Sequence, residues 1–205
     1  MAGTAEDPPV TETQDPRNRR WENTHQRIYE VALKLFEDQG FEQVSVGQIA
    51  SAAGVTGPTF YAHYPSKEHI VMQLPTAQEM QLLIATQPAD QPLAQRLRNA
   101  APMWFALWSP EYREALLTRW RIIATTPSLR TRAADFERQT AGLVAQATSE
   151  PGSTLSAADQ IVINAHLAAF TTAMLDWAES NGTKDLATVV DAAFAAVQGM
   201  GATGN

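Results

Sequence analysis

The sequence predicts an all-α protein of about nine helices: an N-terminal three-helix unit that contains a helix-turn-helix, followed by a larger helical body. Three observations predict it. Apolar residues recur three and four apart along most of the chain, the spacing of a helix face. No strand-length run of alternating apolar and polar residues stands out. Between Ser45 and Lys67, SVGQIASAAGVTGPTFYAHYPSK, two short helical segments meet at Gly54, and the second is too polar and aromatic on one side to serve only as core.

Residues 1–16 hold three prolines, four acids and almost nothing to bury, and are expected to form a disordered tail. The first helix is expected from Arg20 to Gln39, where Ile28, Val31, Ala32, Leu35 and Phe36 make one apolar stripe and Gly40 stops it. Ser45 opens the second helix, and Gln48 three residues later completes a capping box. Val46, Ile49, Ala50 and Ala53 form its buried side. Gly54 supplies the turn, because a positive φ costs glycine nothing, and Val55 plugs the corner. Thr56 caps the third helix, with Pro58 in the first turn, where a missing N–H does no harm. Phe60 and Tyr64 point to the core, which leaves Thr59, Tyr61 and His63 on the other side.

Pro65 ends that helix, and Ser66 caps the next, with Glu68 near its N-terminus. Further helices are expected over 66–86, with a kink at Pro75, then over 92–108, 111–125, 128–148, 155–180 and 183–199, the last two divided by Gly182. The expected organisation is a tail over 1–16, a helix-turn-helix domain over 17–72, and a ligand-binding and dimerisation domain over 73–200.

Composition bounds the function. There is no cysteine, which excludes disulfides, thiolate metal sites and cysteine nucleophiles. No run of about 18 uncharged apolar residues suggests a membrane span, and the acidic, proline-rich start does not read as a secretory signal; cytoplasmic residence is the expectation. The net charge is −7, yet residues 17–72 balance six basic against six acidic side chains. DNA binding then requires cations gathered on one face, and Arg17, Arg19 and Arg20 cluster where an arm could reach. No HExxH, GxSxG or P-loop occurs, and His25, His63, His69 and His166 lack metal-ligand spacing. Neither enzyme activity nor a cofactor or metal is expected.

The helix-turn-helix offers a set of candidate DNA contacts. Thr56, Gly57 and Pro58 start the third helix, where exposed N–H groups attract phosphate. Thr59 can meet a base or a phosphate, Tyr61 and His63 carry donors for the backbone, and Lys67 adds a cation at the next helix. The Pro58 ring could touch a thymine methyl. Ser45, Arg19 and Arg20 complete the set.

Over residues 20–72, the first helix ending LFEDQGF, the segment VSVGQIASAAGV and then TGPTFYAHYPSKEHI resemble the N-terminal domain of TetR-family transcriptional regulators. The resemblance implies that the third helix reads operator DNA and that Tyr61, His63 and Lys67 hold phosphates. Pro58 departs from a position that is often basic in related chains, which implies weaker nonspecific attraction and a different operator preference.

In the body, Trp104, Phe105, Trp108, Trp120, Phe136, Phe170 and Met174 are large apolar residues that suit either a packed core or a ligand pocket between helices. Arg119, Arg121 and His166 are costly to bury, so any that faces inward is expected to orient a polar or anionic group. The segments RWRIIATTPSLRTR and AMLDWAESNGTKDLATVVDAAFAAV are similar to regulators with an acyl-CoA-type ligand-binding domain, such as the mycofactocin-system regulator. That similarity implies an effector with a long apolar tail, a fatty acyl-CoA being one such molecule, with arginines such as Arg96, Arg98 or Arg113 near its head. The last two helices are rich in alanine; with Trp177, Leu186, Val190 and Phe194 they are expected to form a two-fold four-helix interface. The expected partners are thus operator double-stranded DNA, a small-molecule effector and a second copy of the chain, with no membrane. The expected function is a ligand-responsive repressor. A helical carrier, or an enzyme acting on an acyl ligand, is the alternative.

Overall fold

A computed structural model describes residues 15–73, 75–148 and 155–202, with side chains to Gly199. The tail expected to be disordered lies, up to Gln14, outside the described residues. Its last two residues open the first helix instead. The Asp15 carboxylate accepts the backbone N–H of Arg17 at 3.0 Å and Pro16 takes the first helical position, so α1 spans Pro16–Gln39 and starts four residues before Arg20.

Ile28, Ala32, Leu33 and Phe36 are the buried stripe of α1. Gly40, at φ 85°, ends it with an N–H bond to the Phe36 carbonyl, and one 3₁₀ turn, Phe41–Gln43, leads to α2 (Val46–Ala52). The capping box of α2 is present in both directions: Ser45 Oγ accepts from Gln48 N at 3.2 Å and Gln48 Oε1 accepts from Ser45 N at 2.8 Å. Gly54 turns the chain at φ 64°, and Thr56 caps α3 (Gly57–His63). Tyr64 leaves the helix in an extended conformation because Pro65 follows it.

The helix expected over 66–86 is two helices, α4 (Glu68–Val71) and α5 (Ala77–Ala85). Pro75 disfavours a helical residue before it, and Thr76 starts a new capping box with Glu79, whose N–H donates to Thr76 Oγ1 at 3.1 Å. The body continues with α6 (Leu93–Ala106), α7 (Pro110–Thr125), α8 (Pro127–Thr148), α9 (Ala157–Glu179) and α10 (Leu186–Ala202). Ser109 and Ser156 cap α7 and α9. Asn181 and Gly182 turn the chain at φ 52° and 72°, and α10 begins at Leu186, later than expected, because the Asp185 carboxylate accepts the Thr188 N–H at 2.9 Å. No strand occurs among the described residues.

Three apolar cores hold these helices. One joins α1–α4 to the body: Ile28, Phe36, Phe60 and Ile70 pack in the same cluster as Ile122 and Ile123 of α7 and Leu129 of α8. A second, among α6, α7, α9 and α10, contains Phe105, Leu116, Met174, Trp177 and Val190. The third, among α5, α6, α8 and α9, contains Met80, Val144 and Ile163. Helix α9 packs on α6, α7, α8 and α10 and is the hub of the body. Its mean hydropathy of 1.2 and its length would allow it to cross a membrane by composition alone, with a third of that apolar stretch buried against its neighbours.

Candidate nucleic-acid interface

Helices α2 and α3 put their apolar sides into the first core and leave a polar ridge outside. Phe60 is fully buried and Tyr64 nearly so, while Thr56, Pro58 and Tyr61 are exposed; Tyr61 stands edge-on to Phe60, 5.4 Å between ring centroids. Gly57 and Thr59 are half-buried. Thr59 shares a 2.8 Å hydroxyl contact with Thr56, whose Oγ1 also accepts the Thr59 N–H at 3.3 Å. The Arg27 side chain of α1 braces the turn by donating to the Ala53 carbonyl at 2.9 Å. Exposed Arg19 and Arg20 belong to the first turns of α1 and are held by a helix, not by a free arm. The exposed Ser45 hydroxyl is engaged with Gln48.

His63 and Lys67 face inward more than their spacing suggests. Lys67 Nζ donates to the carbonyls of Phe41 at 2.7 Å and Val44 at 2.9 Å and lies 4.3 Å from the Phe41 ring centroid. Two of its three N–H bonds therefore hold the 3₁₀ turn against α4. His63 leans on Trp21 of α1, 4.8 Å between centroids, and lies 5.6 Å from His25, which stacks on Trp21 on one side and on Tyr64 on the other. Burial holds both imidazoles below the ordinary histidine range, and for His25 the neighbouring His63 adds to the effect. Trp21 and His25 were legible in principle: they continue the Ile28–Ala32–Phe36 stripe backward by one and two turns.

In the body, the large apolar set packs on the cores, two of its seven members buried and five partly so. Trp104, Phe105, Trp108, Trp120, Phe170 and Met174 belong to the second cluster, with Phe105 and Met174 buried. Phe136 lies apart, against the first core and 5.8 Å from the His69 ring. A groove of about 360 Å³ remains between α6 and α10, lined by Arg98, Phe105, Val190, Asp191 and Phe194 among others. The Arg98 guanidinium spans it to the Asp191 carboxylate at 2.7 and 3.0 Å. His166 is 3% exposed; its Nδ1 lies 2.8 Å from the Val162 carbonyl, its ring meets Phe194 edge-on, and its Nε2 has no partner among the described residues. Burial lowers its pKa from the ordinary value.

Trp177, Leu186, Val190 and Phe194, expected at a two-fold interface, are each 1–6% exposed within the single chain. They occupy the inner faces of α9 and α10, because an apolar helix pair must first bury its largest side chains against its own neighbours. The outer face of α9 is smaller and more mixed: Ile161, Asn164, Ala168 and Thr172 are exposed, Ile161 at 68%. Among the described residues, no group of three histidine, cysteine or acidic side chains is placed to hold a metal ion.

The same elements recur in known proteins. Residues 28–74 match the bacterial regulatory proteins of the tetR family, and residues 91–200, more than half of the chain, match the MftR C-terminal domain. A 70-residue stretch is 34% identical to the HTH-type transcriptional regulator EthR of Mycolicibacterium smegmatis, covering 32% of each chain. A 52-residue stretch is 44% identical to the putative mycofactocin biosynthesis transcriptional regulator MftR of Mycobacterium tuberculosis, covering 25% of this chain and 26% of that one. The aligned stretches thus span about a third or less of those relatives' length. In fold, the chain is similar to NalD of Pseudomonas aeruginosa, the secondary repressor of the MexAB-OprM multidrug efflux pump, with a TM-score of 0.54 and 21% identity over 84% of this chain and 93% of that one.

Proposed function

We propose that this chain, which belongs to the TetR family of bacterial regulatory proteins and carries an MftR-type C-terminal domain, is a homodimeric transcriptional repressor released from operator DNA by an apolar effector. The single observation that carries the reading is the presentation of α3: its apolar side is locked into a core shared with α7 and α8, and its Thr56, Pro58 and Tyr61 side faces solvent. A rigidly held ridge of this kind can enter a major groove without losing conformational freedom on binding. Thr59 and Pro58 supply base or methyl contacts, and Tyr61, Arg19, Arg20 and the remaining N–H of Lys67 supply phosphate contacts. His63 positions the ridge from behind. The site of action is the cytoplasm, where the chromosome lies.

Two facts support the dimer. One short recognition helix reads too few base pairs by itself. Only a third of the most apolar stretch of α9 is buried within one chain, and exposed Ile161 stands on its outer face; an apolar helix left this open calls for a second covering surface. The exposed Ile161–Ala168–Thr172 face, with the alanines of α10, fits a two-fold four-helix contact.

Release follows from the shared core. An effector that binds the body and shifts α7 must also move the head, since Ile122 and Ile123 pack with Phe36 and Phe60. It works only to the extent that it prefers the shifted state, and a tenfold loss of operator affinity needs about 1.4 kcal/mol of such preference. The effector class we propose is an acyl-CoA. The test is to select duplex DNA from a random pool with the full-length protein, then titrate the complex with fatty acyl-CoAs and other apolar molecules. Sequence-selective binding weakened by at least one acyl compound is expected. Affinity unchanged across the panel removes the release mechanism, and failure to enrich any sequence removes the repressor.

A further inference from the structure

The strongest unexplained feature of the body is a buried cation with no counter-ion among the described residues. Arg119 of α7 is 5% exposed, and an arginine does not lose its proton inside a protein. Its one hydrogen-bond partner among the described residues is neutral: Nη1 donates to Oε1 of Gln73. Its Nε has no partner. Arg98, Arg130 and Arg138 all pair with carboxylates at the surface, while buried Arg119 has no such partner among the described residues.

The surroundings fit a particular kind of anion. Tyr112 holds its ring 5.9 Å from the Arg119 guanidinium carbon. Trp108 lies 5.4 Å from Tyr112, and Trp104 lies 5.2 Å from Trp108. These rings make a half-exposed apolar ladder, running from the second core to the guanidinium. Tyr29 of α1 and Tyr64 at the end of α3 stand within electrostatic reach of Arg119. Burial raises the pKa of both phenols, so they remain neutral hydroxyls.

We propose that Arg119 and the Trp104–Trp108–Tyr112 ladder form the receptor for an amphiphilic anion, with an alkyl tail along the rings and a carboxylate or phosphate on the guanidinium, and that Gln73 is the placeholder this anion displaces. Gln73 lies two residues past the end of α4, and α4 follows directly from the helix-turn-helix. Exchange of a neutral amide for an anion on Arg119 therefore frees Gln73 at the joint between head and body. Tyr64, which donates to the His25 carbonyl at 3.3 Å and stacks on the His25 ring, feels the same charge and carries the change to the end of α3. The proposal deepens the effector reading above and rests on it.

The test uses the full-length protein, its tryptophan fluorescence, and three probes: palmitate, palmitoyl-CoA and neutral hexadecanol. Wild type is expected to bind an anionic probe at least about tenfold more tightly than hexadecanol. Gln73→Glu places a carboxylate on Arg119 permanently, and Arg119→Gln removes the charge. Each is expected to weaken the anionic probe by about tenfold or more while leaving hexadecanol unchanged. Gln73→Glu is also expected to keep operator affinity within about twofold of wild type but to make it insensitive to the anion. Loss of only palmitate binding assigns the carboxylate to Arg119, and loss of only palmitoyl-CoA binding assigns the phosphate; either supports the site. Equal binding of anionic probe by wild type and Gln73→Glu overturns the site and leaves an effector elsewhere in the body. Hexadecanol binding as tight as palmitate and palmitoyl-CoA overturns the anion and leaves an apolar effector. No binding of any probe by wild type overturns both.

Discussion

Replacing Lys67 with methionine separates two roles that one lysine could hold. The ammonium makes two charge-assisted bonds, to the Phe41 and Val44 carbonyls at 2.7 and 2.9 Å, and sits over the Phe41 ring. Methionine keeps the length and apolar stem but removes every donor. A hydrogen bond to a charged group contributes about 1.5–3 kcal/mol when well buried. Lys67 is only half-buried, so water can re-solvate both carbonyls and the two bonds together contribute about 2 kcal/mol. For a chain of this size that corresponds to a fall of about 4–8 °C in Tm, read by calorimetry or circular dichroism. If the third N–H also meets a phosphate, the slope of log affinity against log salt falls by about 0.9 per chain. A Tm within about 1 °C of wild type refutes the strut, because neither carbonyl then depended on the ammonium.

Other variants test other parts of the fold. Gly182→Ala forces an alanine to φ 72° with its Cβ 2.7 Å from Leu117 Cδ2, so calorimetry is expected to show a loss of roughly 2 kcal/mol; Gly142→Ala, with open space around the new methyl, is expected to hold or raise Tm, and equal effects contradict the packing described. Folding depresses the pKa of His25, His63 and His166 below 6.5, so the unfolded chain binds more protons in mildly acid solution. Their contribution is fully present above pH 6.5 and is lost as pH falls below it; a Tm at pH 5.5 equal to or above that at pH 7.5 contradicts the burial of these rings. Ile161→Asp puts a charge on the exposed face of α9; sedimentation is expected to show monomer with unchanged helicity, and an intact dimer moves the interface elsewhere.

Much of the head was legible because its signals are local. The Ser45–Gln48 capping box, Gly54 at positive φ and Thr56 before Pro58 each act within four residues, and each decides a backbone conformation without help from the rest of the chain. Long-range consequences were not legible in the same way. The spacing of Lys67 does not disclose that it reaches back to the Phe41 and Val44 carbonyls, since that depends on how α4 crosses the 3₁₀ turn. Trp177, Leu186, Val190 and Phe194 were recognisable as an apolar face, but a periodic stripe says only that a face is buried, not whether its own chain or a second one covers it. The break between α4 and α5 shows a local signal underweighted: Pro75 and the Thr76–Glu79 box together end one helix and start another. The pairing of Arg119 with Gln73 lay beyond sequence altogether, because the two residues are 46 positions apart and neither has a charge partner to suggest the other.

The central claim is that α3, repeated by two-fold symmetry, is the surface that meets DNA. A hydroxyl-radical footprint on duplex selected by the full-length protein tests it most directly. The account predicts two protected tracts on one face of the duplex, centred about 10 base pairs or a whole number of turns apart, both weakened when Thr59 and Tyr61 are replaced with alanine. A single tract, or two that survive those replacements undiminished, would contradict it.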